Sequence, residues 1–276
     1  MSEPNEIGRL AWMTPESQAA ALASADASRP FDLAVDYFMG MPAWTVLGDP
    51  KYDIWLTHTP QGEGHDYAGT AISMYSHVGT HICSLNHLGR DGRFWSGWTA
   101  EAHLGSRAWR VGGVYPPIIA PGVLLDVAGV HGTDCLPDSY AITPEDLTAA
   151  GAAELRRGEV ALVRTGRMSR WPDHDAFMNN PPGLGMAAAR LLAADRQVIT
   201  IGVDCGGEPL PPEDPGEFLP VHSYLLAEVG VPVIENLWLE DLARAGVRRL
   251  TLLAFPLKLR GSTGLPVRPV ALPPAC

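Results

Sequence analysis

Three imidazoles and one thiol fall within eleven residues, in the run His77-Val78-Gly79-Thr80-His81-Ile82-Cys83-Ser84-Leu85-Asn86-His87. Imidazole nitrogen and thiolate sulfur are donors for borderline-soft divalent metals. The chain has nine histidines in 276 residues, so three in so short a run is a concentration of ligand types. Gly79 and Thr80 separate the first two histidines, which excludes the His-Glu-x-x-His helix of zinc proteases. A Gly-Thr pair suits a strand that ends in a tight turn, with backbone curvature bringing the histidines together. The spacing points to a metal site and names no reaction.

Other residues with chemical potential are scattered. His58 stands in Leu56-Thr57-His58-Thr59, and this segment is expected to line a substrate pocket. His65 and His103 have no motif around them. Phe94, Trp95 and Trp98 follow the cluster closely, and Trp44 precedes it. Either these rings form an apolar pocket for an aromatic or cyclic substrate, or they pack in the core.

Strands and helices must position these groups. Short apolar runs bounded by Gly, Pro or Asp predict strands at 71–76, 122–127, 160–165, 198–203 and 249–254. Thr14 before Pro15, and Thr143 before Pro144, each place a capping hydroxyl ahead of proline at the first helical position. The second of these helices is expected to run through Leu155 and stop near Gly158. The stretches 185–194 and 237–245, the latter ahead of Gly246, predict two more. Such a mixture gives an α/β or α+β domain.

The totals bound the function. A net charge of −11, with no Lys/Arg stripe, argues against nucleic acid as a partner. No apolar run approaches the length of a membrane span, and the first ten residues lack the apolar core of a secretory signal. Cys83, Cys135, Cys205 and Cys276 are far apart, so a reduced, cytoplasmic protein is expected.

The pattern His77-x-Gly79-Thr80-His81-x-Cys83-x-x-x-His87 resembles the signature of the metal-dependent cyclase family of hydrolases, His-x-Gly-Thr-His-x-Asp-x-x-x-His. That family includes bacterial kynurenine formamidase, isatin hydrolase and a trans-dienelactone hydrolase. Further blocks are similar, in the same order. They are Phe31-Asp32-Leu33 with Gly40-Met41-Pro42-Ala43-Trp44, Val163-Arg164-Thr165-Gly166, Pro182-Gly183-Leu184, and Ile201-Gly202-Val203-Asp204 with Glu208. Val221-His222-Ser223-Tyr224-Leu225-Leu226, Glu235-Asn236-Leu237 and the segment from Gly261 to Pro269 complete the likeness.

The resemblance implies a swivelling β/β/α fold, with a central, largely antiparallel, barrel-like sheet and outer helices. One cyclase-like domain would span residues 1–276, with an N-terminal extension and long surface loops. The proline-rich stretch 209–220 would be a surface loop or a dimer arm, and the protein a homodimer or homotetramer. His77, His81 and Cys83 would form one ligand group. His222 and Glu235 would complete it or hold a second ion, so one or two ions remain open. His87 would transfer protons, or serve as a fourth ligand or an orienting group. Asp204 and Glu208 would orient ligand histidines or cap local turns. Cys83 departs from the family Asp: a thiolate has one donor atom and is softer, which favours Zn2+ over Mn2+. The implied activity is a hydrolase that uses metal-bound hydroxide on a small cyclic or aryl amide, imide or lactone, with C–N bonds favoured. The alternatives are a metal-dependent cyclase or dehydratase of secondary metabolism, and a catalytically impaired binding protein.

Overall fold

Short apolar runs punctuated by Gly and Pro fold here into strands. The computed structural model describes residues 5–45, 47–61, 66–213 and 216–275, so His65 and Cys276 lie outside the described residues. In chain order the strands are β1 (Phe31–Asp32), β2 (Asp53–His58), β3 (Gly69–Ser73), β4 (His81–Cys83), β5 (Ile118–Asp126), β6 (Ala141–Ile142), β7 (Val160–Arg164), β8 (Gly183–Leu184), β9 (Thr200–Val203), β10 (Val233–Glu235), β11 (Arg249–Ala254), β12 (Gly264–Pro266) and β13 (Val270–Leu272). Nine of them join in one sheet, in the order β1-β13-β11-β5-β7-β9-β10-β4-β12. The sheet curls into a half-barrel with helices around it.

Five of its eight pairings are antiparallel. The central block β5-β7-β9-β10 is parallel. Parallel neighbours need long crossovers. Helices at Pro144–Ala149, Met186–Arg190 and Pro220–Ser223 lie on these three connections. β7 and β9 are buried at every residue, as strands covered on both faces must be.

The two Thr-Pro helix starts are as expected. Thr14 and Thr143 each accept from the backbone N–H three residues on, in a capping box with proline at the first position. The second helix is shorter than expected. It ends at Ala149, and Gly151 then adopts a left-handed conformation that turns the chain into a single 3-10 turn. The predicted strand at 71–76 is also corrected. β3 ends at Ser73 and pairs with β2 in a separate hairpin, whose β2 residues are all exposed. Ile54, Trp55, Leu56 and Ile72 face outward there.

The turn comes before the histidine strand rather than after it. Gly79 has φ +58°, and a Cβ at that position would stand 2.7 Å from Cζ of Tyr37. Only glycine fits. Thr80 then ties three segments together. Its hydroxyl donates to Asn236 O (2.7 Å) and accepts from Val35 N–H (3.0 Å), while its carbonyl accepts from the Tyr37 hydroxyl (2.7 Å). Asn236 returns the contact by donating its side-chain amide to Gly79 O at 2.9 Å.

β4 follows at once, paired on both edges. Its register sets His81 opposite Glu235 of β10, and Cys83 opposite Gly264 of β12. Replacing Thr80 with Val keeps the shape but strands the Val35 N–H and the Asn236 carbonyl. Thr80→Val should therefore lower unfolding free energy by about 1–3 kcal/mol, read as a shifted urea midpoint with unchanged slope.

Candidate metal centre

Five side chains from two stretches of the chain, 77–87 and β10, converge. Cys83 Sγ lies 3.6 Å from His77 Nδ1 and 3.7 Å from His81 Nε2, and His81 Nε2 lies 3.3 Å from Glu235 Oε2. The atoms fall into two donor groups that share the sulfur: His77, Cys83 and His87, and His81, Cys83 and Glu235. Within each group all ligand atoms are within 4.8 Å of one another.

The hydrogen bonds leave the right lone pairs free. His81 Nδ1 sits 2.9 Å from Gly79 O, which can only accept, so the proton is on Nδ1 and Nε2 is the donor to an ion. His77 Nε2 contacts the Thr263 hydroxyl at 3.1 Å, so its Nδ1 is turned to the sulfur. Such outer partners fix ring orientation at metal sites. A tetrahedral ion with bonds of about 2.0–2.1 Å to nitrogen or oxygen and about 2.3 Å to sulfur sets its ligands roughly 3.3–3.6 Å apart. The observed spacings of 3.3, 3.6 and 3.7 Å fit that requirement.

Electrostatics sort these groups by protonation. Burial and the neighbouring imidazoles hold His77 well below the usual histidine value, so it is neutral and free to ligate. Burial, with the charge on His222, pulls His87 down to about 3. Burial and the Glu235 carboxylate push the Cys83 thiol well above its ordinary value. For Glu235 burial favours the acid, but the hydrogen bond from His222 and the charge on that ring outweigh it and keep the carboxylate ionised.

His222 stands apart from the donor groups. Its Nδ1 is 2.6 Å from Glu208 and its Nε2 is 2.5 Å from Glu235. Burial alone would lower its pKa, but the two carboxylates raise it to about 10, and both ring nitrogens donate. His222 belongs to neither donor group and meets the centre through Glu235. Gly207, with φ +85°, makes room for it, since a Cβ there would lie 2.7 Å from His222 Cε1. Glu208 orients His222 and also accepts from the Val221 and His222 N–H groups. Asp204 touches no candidate ligand. Both its oxygens accept from the Thr165–Gly166 turn instead.

The cluster opens into a cavity of about 130 Å³. Its apolar wall includes Pro42, Trp44, Leu47, Phe177, Met178 and Phe218, while His77, His87, His222 and Glu235 form the polar side. Of the aromatic pocket residues expected from sequence, Trp44 is in place. Phe94 packs edge-on against Trp109 and Trp95 bonds Asn5 O, while Trp98 is buried in the main core; none of the three lines the cavity. His58 is exposed on the hairpin, against Tyr67, and His103 caps its own short helix through Thr99. Sequence reasoning missed Tyr75, Phe177, Met178 and Phe218. Tyr75 had a signal, since it lies two residues before His77 and stacks on it at 4.8 Å. Phe177 and Met178 come from the distant short helix His174–Met178, and Phe218 from a distant loop, with none.

Residues 31–207 match the Cyclase family. Among solved structures, a "novel cyclase" superposes with a TM-score of 0.83 at 24% identity, covering 97% of this chain and 94% of that one. Isatin hydrolase A from Ralstonia solanacearum gives 0.68 at 22% identity, covering 94% and 97%. A "predicted metal-dependent hydrolase" from Bacillus stearothermophilus gives 0.62 at 24%, covering 88% and 98%. At these identities the likeness is one of fold. Among curated proteins, no sequence matches the chain significantly.

The thiol state of Cys83 bears on ion binding. It rests protonated; as a ligand it would bind as thiolate, so each ion would displace about one proton and affinity would rise about tenfold per pH unit. Cys83→Asp offers a group already ionised. Its affinity-versus-pH slope, from competitive titration between about pH 6 and 8, should be smaller than that of the natural protein by about one. Equal slopes would show that Cys83 is no ligand.

Proposed function

The chain belongs to the Cyclase family, and from that premise we propose that it is a metal-dependent hydrolase that opens a small, neutral cyclic or aryl amide, imide or lactone, with C–N bonds favoured. One observation carries this reading: of a five-residue donor set, His77, His87 and Glu235 reach the polar side of an apolar cavity of one-ring size. An apolar cavity of about 150 Å³ holds benzene. Among the described residues lining the cavity there is no Lys or Arg to pair with an anionic substrate. The names of neighbours, isatin hydrolase and metal-dependent hydrolase, support the same chemistry.

His77, His81, Cys83 and Glu235 would hold the ion, and the thiolate favours Zn2+ over Mn2+. Bound there, a divalent ion supplies Lewis acidity toward a carbonyl and toward water. The protein supplies the rest. Trp44, Phe177 and Phe218 hold the ring and displace water. Protonated His222 keeps Glu235 ionised and fixed. His87, neutral at working pH, faces the cavity and carries a proton from water to the leaving nitrogen. Its ring stacks on His77 at 3.8 Å, and a ring nitrogen lies within 4.8 Å of Cys83 Sγ. That proximity supports a second role for His87, as a ligand.

We further read the protein as a cytoplasmic homo-oligomer. Cys83, Cys135 and Cys205 are free thiols, and the β2–β3 hairpin leaves apolar side chains exposed on both faces. Two-stranded hairpins are marginal by themselves. No helix among the described residues is long and apolar enough to cross a membrane.

Zinc-loaded protein should hydrolyse members of a panel of isatin, formanilide and simple lactones, lose that activity to a chelator, and regain it with zinc. No turnover on any of them would overturn the reading. His87→Ala should keep its metal and lose about two or more powers of ten in turnover, the scale of lost proton transfer. Loss of metal instead makes His87 a ligand. Cys83→Asp should shift preference from zinc toward manganese in competitive metal titration, following ligand softness.

A further inference from the structure

Among the buried ionisable side chains outside the donor set are Asp204, 0% exposed, and Arg167, 1% exposed. They are linked. Asp204 accepts from Thr165 N–H (2.9 and 3.0 Å), the Thr165 hydroxyl (2.7 Å) and Gly166 N–H (2.8 Å). These bonds fix the turn that ends β7. Arg167 starts the next turn, its own N–H donating to the Thr165 hydroxyl at 3.1 Å.

The guanidinium then reaches across to a different segment. Nε donates to Phe177 O at 3.0 Å, Nη2 to Asn179 O, and Nη1 to Asp138 Oδ1 at 2.7 Å. The two carbonyls bracket Met178, and Phe177 and Met178 are wall residues of the cavity. Phe177 is locked from the other side by Trp171, edge-on at 5.1 Å, and packs with Val35 and Met168. A planar fork of five donors can satisfy two carbonyls and a carboxylate at once, whereas a lysine ammonium cannot reproduce that geometry.

We infer that Arg167 is a positioning residue: by holding the Phe177–Asn179 carbonyls it sets the apolar wall and so the size of ring the cavity admits. This rests on the reading of that cavity as the substrate pocket. Asp204 supports it by anchoring the turn from which Arg167 extends.

Calorimetric binding of benzamide and 1-naphthamide to zinc-loaded protein tests it without requiring turnover. The natural protein should prefer benzamide by about tenfold or more, within the range that pocket size can supply. Arg167→Lys should cut that preference at least about threefold, at unchanged zinc content and circular dichroism. Amide hydrogen exchange should rise in residues 177–180 and not at 77–87. Met178→Ala should relax the preference directly. Should Arg167→Lys fail to fold, Asp138→Asn removes a single partner of the guanidinium at an exposed position and should move the ratio the same way. A folded Arg167→Lys, or in its place Asp138→Asn, with the natural ratio overturns this proposal alone, as does a Met178→Ala protein that still excludes the larger amide. A natural protein that binds neither amide overturns both this proposal and the neutral-amide reading.

Discussion

Everything at the centre depends on the pairing of one three-residue strand. β4 is hydrogen-bonded on both edges, and its register alone sets His81 beside Glu235 and Cys83 beside Gly264. A slip of one residue would turn both donors to the opposite face. So short a strand cannot hold its register by itself. Thr80 holds it, because its hydroxyl bonds residues from the N-terminal loop and from the end of β10, and Gly79 lets the chain enter at the required angle. The motif is thus as much a structural clamp as a set of ligands.

The same region shows how buried charge is kept affordable. Glu235 carries its negative charge in the interior because His222 donates to it, and His222 stays protonated because a second carboxylate, Glu208, lies on its far side. Removing one member would leave another charge buried without its partner, which costs several kcal/mol in general. The chain Glu208–His222–Glu235 therefore behaves as one unit that orients the centre.

The residues closest to the chemistry were the most legible in sequence. His77, His81, Cys83 and His87 lie within eleven residues, so spacing and donor type sufficed to mark them as a metal cluster. Glu235 and Glu208 came only through resemblance, since more than 120 residues separate them from the motif and only the sheet brings them near. The Thr-Pro helix starts were legible because capping is local, whereas the end of the second helix was not: Gly151 stops it on a backbone conformation that helical periodicity does not reveal. The cavity wall was the least legible. Phe94, Trp95 and Trp98 are near the motif in sequence but pack elsewhere, while Phe177 and Met178 arrive on a distant short helix and Phe218 on a distant loop. Aromatic side chains look alike in sequence whether they fill a core or line a void.

The sulfur shared by both donor groups carries a chemical liability. A carboxylate in its place would discriminate against large, polarisable cations, whereas a thiolate welcomes them. Cadmium and mercury are softer than zinc, so with Cys83 as a ligand the centre would be open to capture by these ions and slow to release them. Such a site would exchange the inertness of an oxygen-rich site toward heavy-metal poisoning for a tighter hold on a soft nutrient ion.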